Sequence, residues 1–191
     1  MSRFSEPQHE DFAALNRSLD FDRELWPYDV AQSKAHARML AARGIIGEDD
    51  RDALLTGLEA VERELADGEF PFRDDDEDIH MAVERRLTEI AGPVGGKLHT
   101  ARSRNDQVVT DLAMWLVDHA RRQAEACGGL AATLIDAAER HLDWALPGYT
   151  HLQRGQPVYL SHHLLAYAWM LLRDRERFRF AAEQADALPV A

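Results

Sequence analysis

Apolar positions recur at helical spacing along most of the chain. Phe12, Leu15 and Leu19 form a short set that predicts one small docked helix. Pro27 stands at a first helical position, and Val30, Met39, Leu40 and several alanines carry a helix to Gly44, where a left-handed cap is expected. Glu48-Asp49-Asp50 opens a second helix with Leu54, Leu55, Leu58, Val61 and Leu65 on one face and Gly68 as its stop. Phe70-Pro71-Phe72 reads as an extended connection. The acidic run from Asp74 to Asp78 then feeds a third helix whose buried stripe is Ile79, Val83, Leu87 and Ile90, closed by Gly92-Pro93. The carboxylates of Asp74, Asp75 and Asp76 are expected to stay solvated at the positive end of that helix. Asp78 and His80, at the helix start, are the members able to reach into a cleft.

Two longer patterns follow. From Asn105 or Asp106 to about Ala145 there is no proline, which at ~1.5 Å per residue predicts a helix on the order of 60 Å long. The Gly128-Gly129 pair inside it marks a bend, a break or a close helix–helix contact. A second long helix is predicted from near Pro157, through Leu160, Leu164, Leu165, Ala168, Leu171 and Leu172 into the alternating charges of Arg173-Asp174-Arg175-Glu176-Arg177. Both carry apolar residues on more than one side, so they need partner helices. The expected fold is all-α: an N-terminal helical domain over residues 1–104, and in residues 105–191 the first part of a long-helix bundle. More chain, or further copies, would complete that bundle.

With 46% apolar and 29% charged residues, the 191-residue chain has ordinary globular composition. Its net charge of -12 argues against nucleic acid or an anionic membrane surface as the main partner. A small anionic substrate stays compatible if local arginines reverse the field. Cys127 is the single cysteine, which allows no internal disulfide and suits a reducing compartment. The N-terminus has no hydrophobic signal core, and charges interrupt every apolar run short of a membrane span. A cytoplasmic protein is the expectation.

Candidate chemistry concentrates in two stretches. Gly95 to Asp106 places Arg102, Ser103, Arg104, Asn105 and Asp106 directly before the first long helix. Such residues at a helix N-terminus suit either capping or an anion, held by free backbone N–H groups, the helix dipole and arginine forks. Pro147 to Pro157, between the two long helices, reads as a polar loop carrying Thr150, His151, Gln153 and Gln156. Its imidazole can serve as acid or base, and its amides can orient it, or the segment can be only an interhelical turn. A 60 Å helix separates the two stretches, so one copy does not easily unite them; antiparallel helices from different copies would. Gly95-Gly96-Lys97 fails as a phosphate loop because Ala91 and Leu98 occupy required Gly and Ser/Thr positions. His162-His163 point to different helix faces, so no metal site is expected there.

His99-Thr100-Ala101-Arg102-Ser103-Arg104-Asn105-Asp106-Gln107 together with Gly148-Tyr149-Thr150-His151-Leu152-Gln153-Arg154 resembles the argininosuccinate lyases of the fumarase and aspartase superfamily. Asn16 to Arg23 and Asp76-Glu77-Asp78-Ile79-His80 add to the resemblance in the same order, and Arg3-Phe4-Ser5 is similar to the end of the family's opening segment. The resemblance implies a reversible β-elimination of argininosuccinate to arginine and fumarate, with no organic cofactor and no metal. It implies that Ser18, Ser103, Arg104, Asn105 and Thr150 hold the substrate, with Asp78 and His80 nearby. His151 would be the acid–base histidine, and Gln153 with Thr150 would position substrate and imidazole. The family's complete form is a homotetramer with shared sites. Its mobile Gly-Ser-Ser loop, which carries the serine thought to abstract the proton, has no counterpart here, the last serine being Ser161. The chain is therefore expected to be the N-terminal portion of such an enzyme. A catalytically inactive structural or binding protein of the same family is the other reading.

Overall fold

The computed structural model describes residues 9–188. Seven α-helices and one two-stranded ribbon make up its regular structure, with short 3₁₀ turns at Arg23–Leu25 and Gly92–His99. In order these are α1 (Glu10–Asn16), α2 (Leu19–Asp22), α3 (Trp26–Ala42), α4 (Glu48–Asp67), α5 (Ile79–Ala91), α6 (Arg104–Arg140), β1 (Ala145–Thr150), β2 (Gln153–Tyr159) and α7 (Leu160–Ala185). Apart from the ribbon, the all-helical expectation holds. The chain divides into two compact units, the first reaching to Leu112 and the second Ala113–Ala187, with α6 contributing to both. Arg3-Phe4-Ser5 lies outside the described residues.

In the first unit, α3, α4 and α5 close over Ala37, Leu54, Leu58, Val61, Ile79, Val83 and Leu87, joined by Leu19, Phe70 and Leu98. Each fully buried leucine contributes about 1.5–3 kcal/mol relative to its exposed state. The i, i+3, i+4 stripes of α4 and α5 supply this core. α4 stops where expected, at Gly68 in the left-handed conformation. The 3₁₀ turn crosses α5 so closely that a Cβ added at Gly95 would lie 2.7 Å from Thr88 Cα. That approach is open only to glycine.

Three expectations fail in this unit. Ile90, expected on the buried stripe of α5, is 39% exposed at the helix's last turn. Phe12 is 53% and Leu15 81% exposed, and α1 buries nothing; of that set only Leu19, in α2, enters the core. The run of solvated carboxylates breaks at Asp76, which is fully buried. Arg85 grips it with two parallel bonds, Nε to Oδ1 and Nη2 to Oδ2, both 2.8 Å, while the Arg73 N–H donates to Oδ2 at 2.8 Å. A buried carboxylate survives only when paired and hydrogen-bonded in this way.

The second unit corrects the boundaries of both long helices. α6 is unbroken through Gly128-Gly129, which removes the break among the alternatives there; a Cβ at Gly128 would stand 3.5 Å from Nε of Arg175 on α7, an ordinary contact, and one at Gly129 would meet nothing within 4 Å. The segment from Ala145 to Tyr159 is an antiparallel hairpin, not a loop flanked by helix. Thr150 pairs with Gln153, Pro147 faces Pro157, and the register slips between Pro147 and Tyr149. Gly148 sits at that slip because a Cβ there would meet Val158 Cγ2 at 2.9 Å and Gln156 O at 3.0 Å. The alternating-charge segment of α7 lies on the surface as expected, with Arg177 on Asp174 (2.5 Å) and Arg179 on Glu176 (3.0 Å). Leu165, Tyr167, Trp169, Met170 and Phe180 of α7 are exposed within the chain, as helices that need partners would be.

Candidate active site

Ser18, Asp78, His80, Ser103, Arg104 and Asn105 all lie in the first unit, where Ser18 is bonded to the segment before α5, Arg104 to Glu84 of α5, and His80 pairs with Asp111 of α6. Ser18 opens α2, donates its hydroxyl to Asp22 Oδ2 at 2.5 Å, and donates its own N–H to Glu77 O at 2.9 Å. Asp22 Oδ1 in turn accepts from the Ile79 N–H at 3.1 Å. These bonds strap the 77–79 segment to α2 on either side of Asp78. Asp78 is the N-cap of α5, accepting the Met81 N–H at 2.6 Å.

Ser103 caps α6: its Oγ accepts the Asn105 N–H at 3.2 Å. Ala101, just before it, adopts a left-handed φ of 55°. From there the side chains alternate. Ser103 and Asn105 are exposed, whereas Arg102 and Arg104 are drawn inward. Arg104 donates to Gln107 Oε1 at 2.9 Å and to Glu84 Oε2 at 2.6 Å. Arg102 donates to Ser33 Oγ at 3.1 Å, and burial lowers its pKa despite the attraction of Asp29 and Asp111. The capping and anion readings of this stretch thus fall on different atoms. Ser103 and the arginines are engaged in structure, and the outward faces of Ser103 and Asn105 are open to a ligand.

His80 is not at the surface. It is 1% exposed, with Nδ1 3.2 Å from Asp29 Oδ1 and 3.2 Å from Asp111 Oδ2. Burial disfavours the charged ring, but hydrogen bonding and attraction to Asp111 and Asp29 outweigh it and raise the pKa to about 9. Burial likewise pushes Asp111 up to about 6 against the pull of His80. Gln107 Nε2 donates to Asp29 Oδ1, and Gln32 Nε2 donates to Asp111 Oδ1 at 2.6 Å and to Gln107 O at 3.0 Å. Asp29 Oδ2 has no hydrogen-bond partner among the described residues. Sequence reasoning missed Asp29, Gln32, Gln107 and Asp111. The available signal was polar residues at i, i+3 and i, i+4 on inward helix faces, here 29 with 32 and 107 with 111.

In the second unit Thr150, His151 and Gln153 share the hairpin tip. His151 and Leu152 form a two-residue turn with φ of 48° and 63°, the type I′ geometry that Asn-Gly ordinarily fills. Leu152 is 94% exposed. Two non-glycine residues held left-handed at an exposed tip cost of order 1–3 kcal/mol each, the kind of strain found at ligand sites. Replacing His151-Leu152 by Asn-Gly is therefore expected to stabilise the ribbon by at least ~1 kcal/mol, read as greater hydrogen-exchange protection of the β1–β2 amides.

The sequence profile of a family described as Lyase matches residues 2–191. A curated protein of Symbiobacterium thermophilum named argininosuccinate lyase is 48% identical over 188 residues, covering 98% of this chain and 41% of its own. One of the same name from Gloeobacter violaceus is 50% identical over 189 residues, covering 99% and 40%. The chain thus spans about two-fifths of the length of these relatives. The crystal structure of EDDS lyase in complex with formate matches at 30% identity with a TM-score of 0.76, over 94% of this chain and 34% of that one. A fumarate lyase:delta crystallin from Brucella melitensis matches at 17% identity with a TM-score of 0.72, over 95% and 46%, which bears on the fold alone.

Proposed function

The chain belongs to this lyase family, and from that premise we propose that it is part of an argininosuccinate lyase, splitting argininosuccinate reversibly into arginine and fumarate. The observation that carries the reading is the near-50% identity to argininosuccinate lyases along the whole chain, against 30% to EDDS lyase. In this reading residues 1–104 form the N-terminal domain and residues 105–191 begin the central bundle, in a cytoplasmic homotetramer.

The chemistry fits the residues at hand. A base removes the proton beside a carboxylate, the electron pair forms the new C=C bond, and the C–N bond breaks with its pair passing to the guanidinium nitrogen. That nitrogen then takes up a proton. Negative charge builds on the carboxylate next to the reacting carbon, so donors aimed at it stabilise the transition state. Ser103 and Asn105, outward at the head of α6, are suited to this, with Ser18, Asp78, Arg104 and Thr150 completing the substrate contacts. His151 acts as the acid–base imidazole, with Gln153 beside it. The two groups of residues meet through different copies.

Because the chain covers about two-fifths of its relatives, the test is a chimera in which its 191 residues replace the matching segment of the Symbiobacterium protein. The chimera is offered argininosuccinate, EDDS, malate, aspartate and adenylosuccinate in parallel. Fumarate release is expected from argininosuccinate far above the others. A folded chimera that prefers another substrate overturns the assignment.

A further inference from the structure

The buried cluster around His80 has no place in substrate contact as it stands, yet it joins α3 to α5 and α6, the two helices at whose starts Asp78, Ser103 and Asn105 stand. Asp29 comes from α3, His80 from the first turn of α5, and Asp111 with Gln107 from the second and third turns of α6. All four side chains are at most 2% exposed. Around the ring, α3 supplies Asp29, Gln32 and Ser33, and α6 supplies Asp111 and Gln107. Arg102 approaches from the segment before α6, and Glu84, one turn on in α5, reaches the cluster through Arg104. Two buried carboxylates facing one another repel; a cation between them removes the conflict, and Nδ1 of His80 lies 3.2 Å from each.

We propose that Asp29 and Asp111 are positioning residues that act through His80: they clamp its ring between them and thereby tie the start of α5, where Asp78 stands two residues before it, to the start of α6, where Ser103 and Asn105 stand. This rests on the proposed lyase reading for its catalytic consequence, but the clamp itself is a property of the chain. The geometry ties rigid elements. Asp78 and His80 share the start of α5, and Asn105 and Asp111 lie in the first turns of α6, so the pairing of His80 with Asp111 at 3.2 Å holds the two helix starts to one another. Arg102 adds a second positive charge, so that two cations face two carboxylates. Gln107 links Asp29 to Arg104, so the same network holds the backbone on which Ser103 and Asn105 stand. Losing the ring's proton returns two facing carboxylates to a buried site and loosens the clamp.

The first measurement uses the unaltered 191-residue chain and requires no activity: the His80 ring is followed by NMR through a pH titration. It is expected to keep its proton to about pH 9, far above an ordinary imidazole near 6.5. A ring that is neutral at pH 7.5 overturns the clamp. The second uses the active chimera with Asp111→Asn and, because that variant can fail to fold, Asp29→Asn as well. A misplaced positioning group is expected to lower kcat/KM by about tenfold to a hundredfold. The alkaline limb of the pH–rate profile should move to lower pH together with the His80 titration midpoint. Folded variants that lose rate with an unmoved alkaline limb make the cluster merely structural and overturn the positioning role. Absence of argininosuccinate cleavage in the unaltered chimera would count against the function and leave the titration result to decide the clamp.

Discussion

Replacing His151 by alanine in the active chimera is expected to lower kcat by about 10²- to 10⁴-fold, the range general acid–base groups contribute, with KM for argininosuccinate changed far less. The hairpin tip gives the reason. His151 is held left-handed in a two-residue turn at the end of a ribbon that pairs Thr150 with Gln153. Nothing in the ribbon's own packing requires an imidazole there, and alanine does not remove a core contact. The loss should therefore be in rate and not in folding. Steady-state kinetics with unfolding curves on the same samples separates the two. A variant with unchanged kcat would remove His151 from the chemistry.

The largest expected effect on stability is at Asp76. Removing this carboxylate by Asp76→Ala strips Arg85 of a bidentate partner in a largely buried place, and breaking a buried pair from one side costs about 3–5 kcal/mol. Asp75→Ala, one residue away and exposed, is expected to stay within about 0.5 kcal/mol of the parent. Urea unfolding of the chain measures both. The pair also has a pH signature. Burial would raise the Asp76 pKa, but Arg85 and the Arg73 N–H outweigh it and hold the carboxyl below the usual carboxylate range. Its contribution is thus fully present above the ordinary value near 3.8 and is lost as pH falls through the lowered value. Acid unfolding of the parent should steepen below about pH 4, and the Asp76→Ala variant should lack that component. Equal acid sensitivity in both would contradict the assignment.

The same residue shows what the sequence could not disclose. Asp76 sits in a run of five acidic residues, and nothing local separates it from Asp74 and Asp75. Its partner, Arg85, is nine positions away across a turn, so only the folded path of the chain distinguishes them. The helices around it were legible because Leu54, Leu58 and Val61, or Ile79, Val83 and Leu87, repeat with the helical period and are bounded by acidic starts and glycine stops. The hairpin was not. Its strands contain Pro147, Gly148, Gly155 and Pro157, which ordinarily argue against strands, and both faces are largely exposed, so there is no apolar alternation to read. Its turn is His151-Leu152 where the usual signal is Asn-Gly.

The candidate site was legible in part, and for a different reason. Ser103, Asn105, Thr150 and His151 stood out as polar groups in dense motifs, and the exposed positions they occupy are those a ligand can reach. His80 was singled out as well, but its burial between Asp29 and Asp111 depends on three helices meeting, which no single stretch of sequence records. Arg104 was read as a substrate arginine, and its guanidinium is engaged with Glu84 and Gln107 in the chain as it stands. Such an arginine reaches a substrate carboxylate only by exchanging these partners, an event that substrate titration of its Nε resonance would follow.

The measurement closest to the central claim is the product balance when argininosuccinate is added to the chimera carrying these 191 residues. The account predicts fumarate and arginine appearing in equal amounts, with argininosuccinate re-formed when both products are supplied at high concentration. A folded chimera that releases neither product, while the unaltered Symbiobacterium protein releases both under the same conditions, would contradict it.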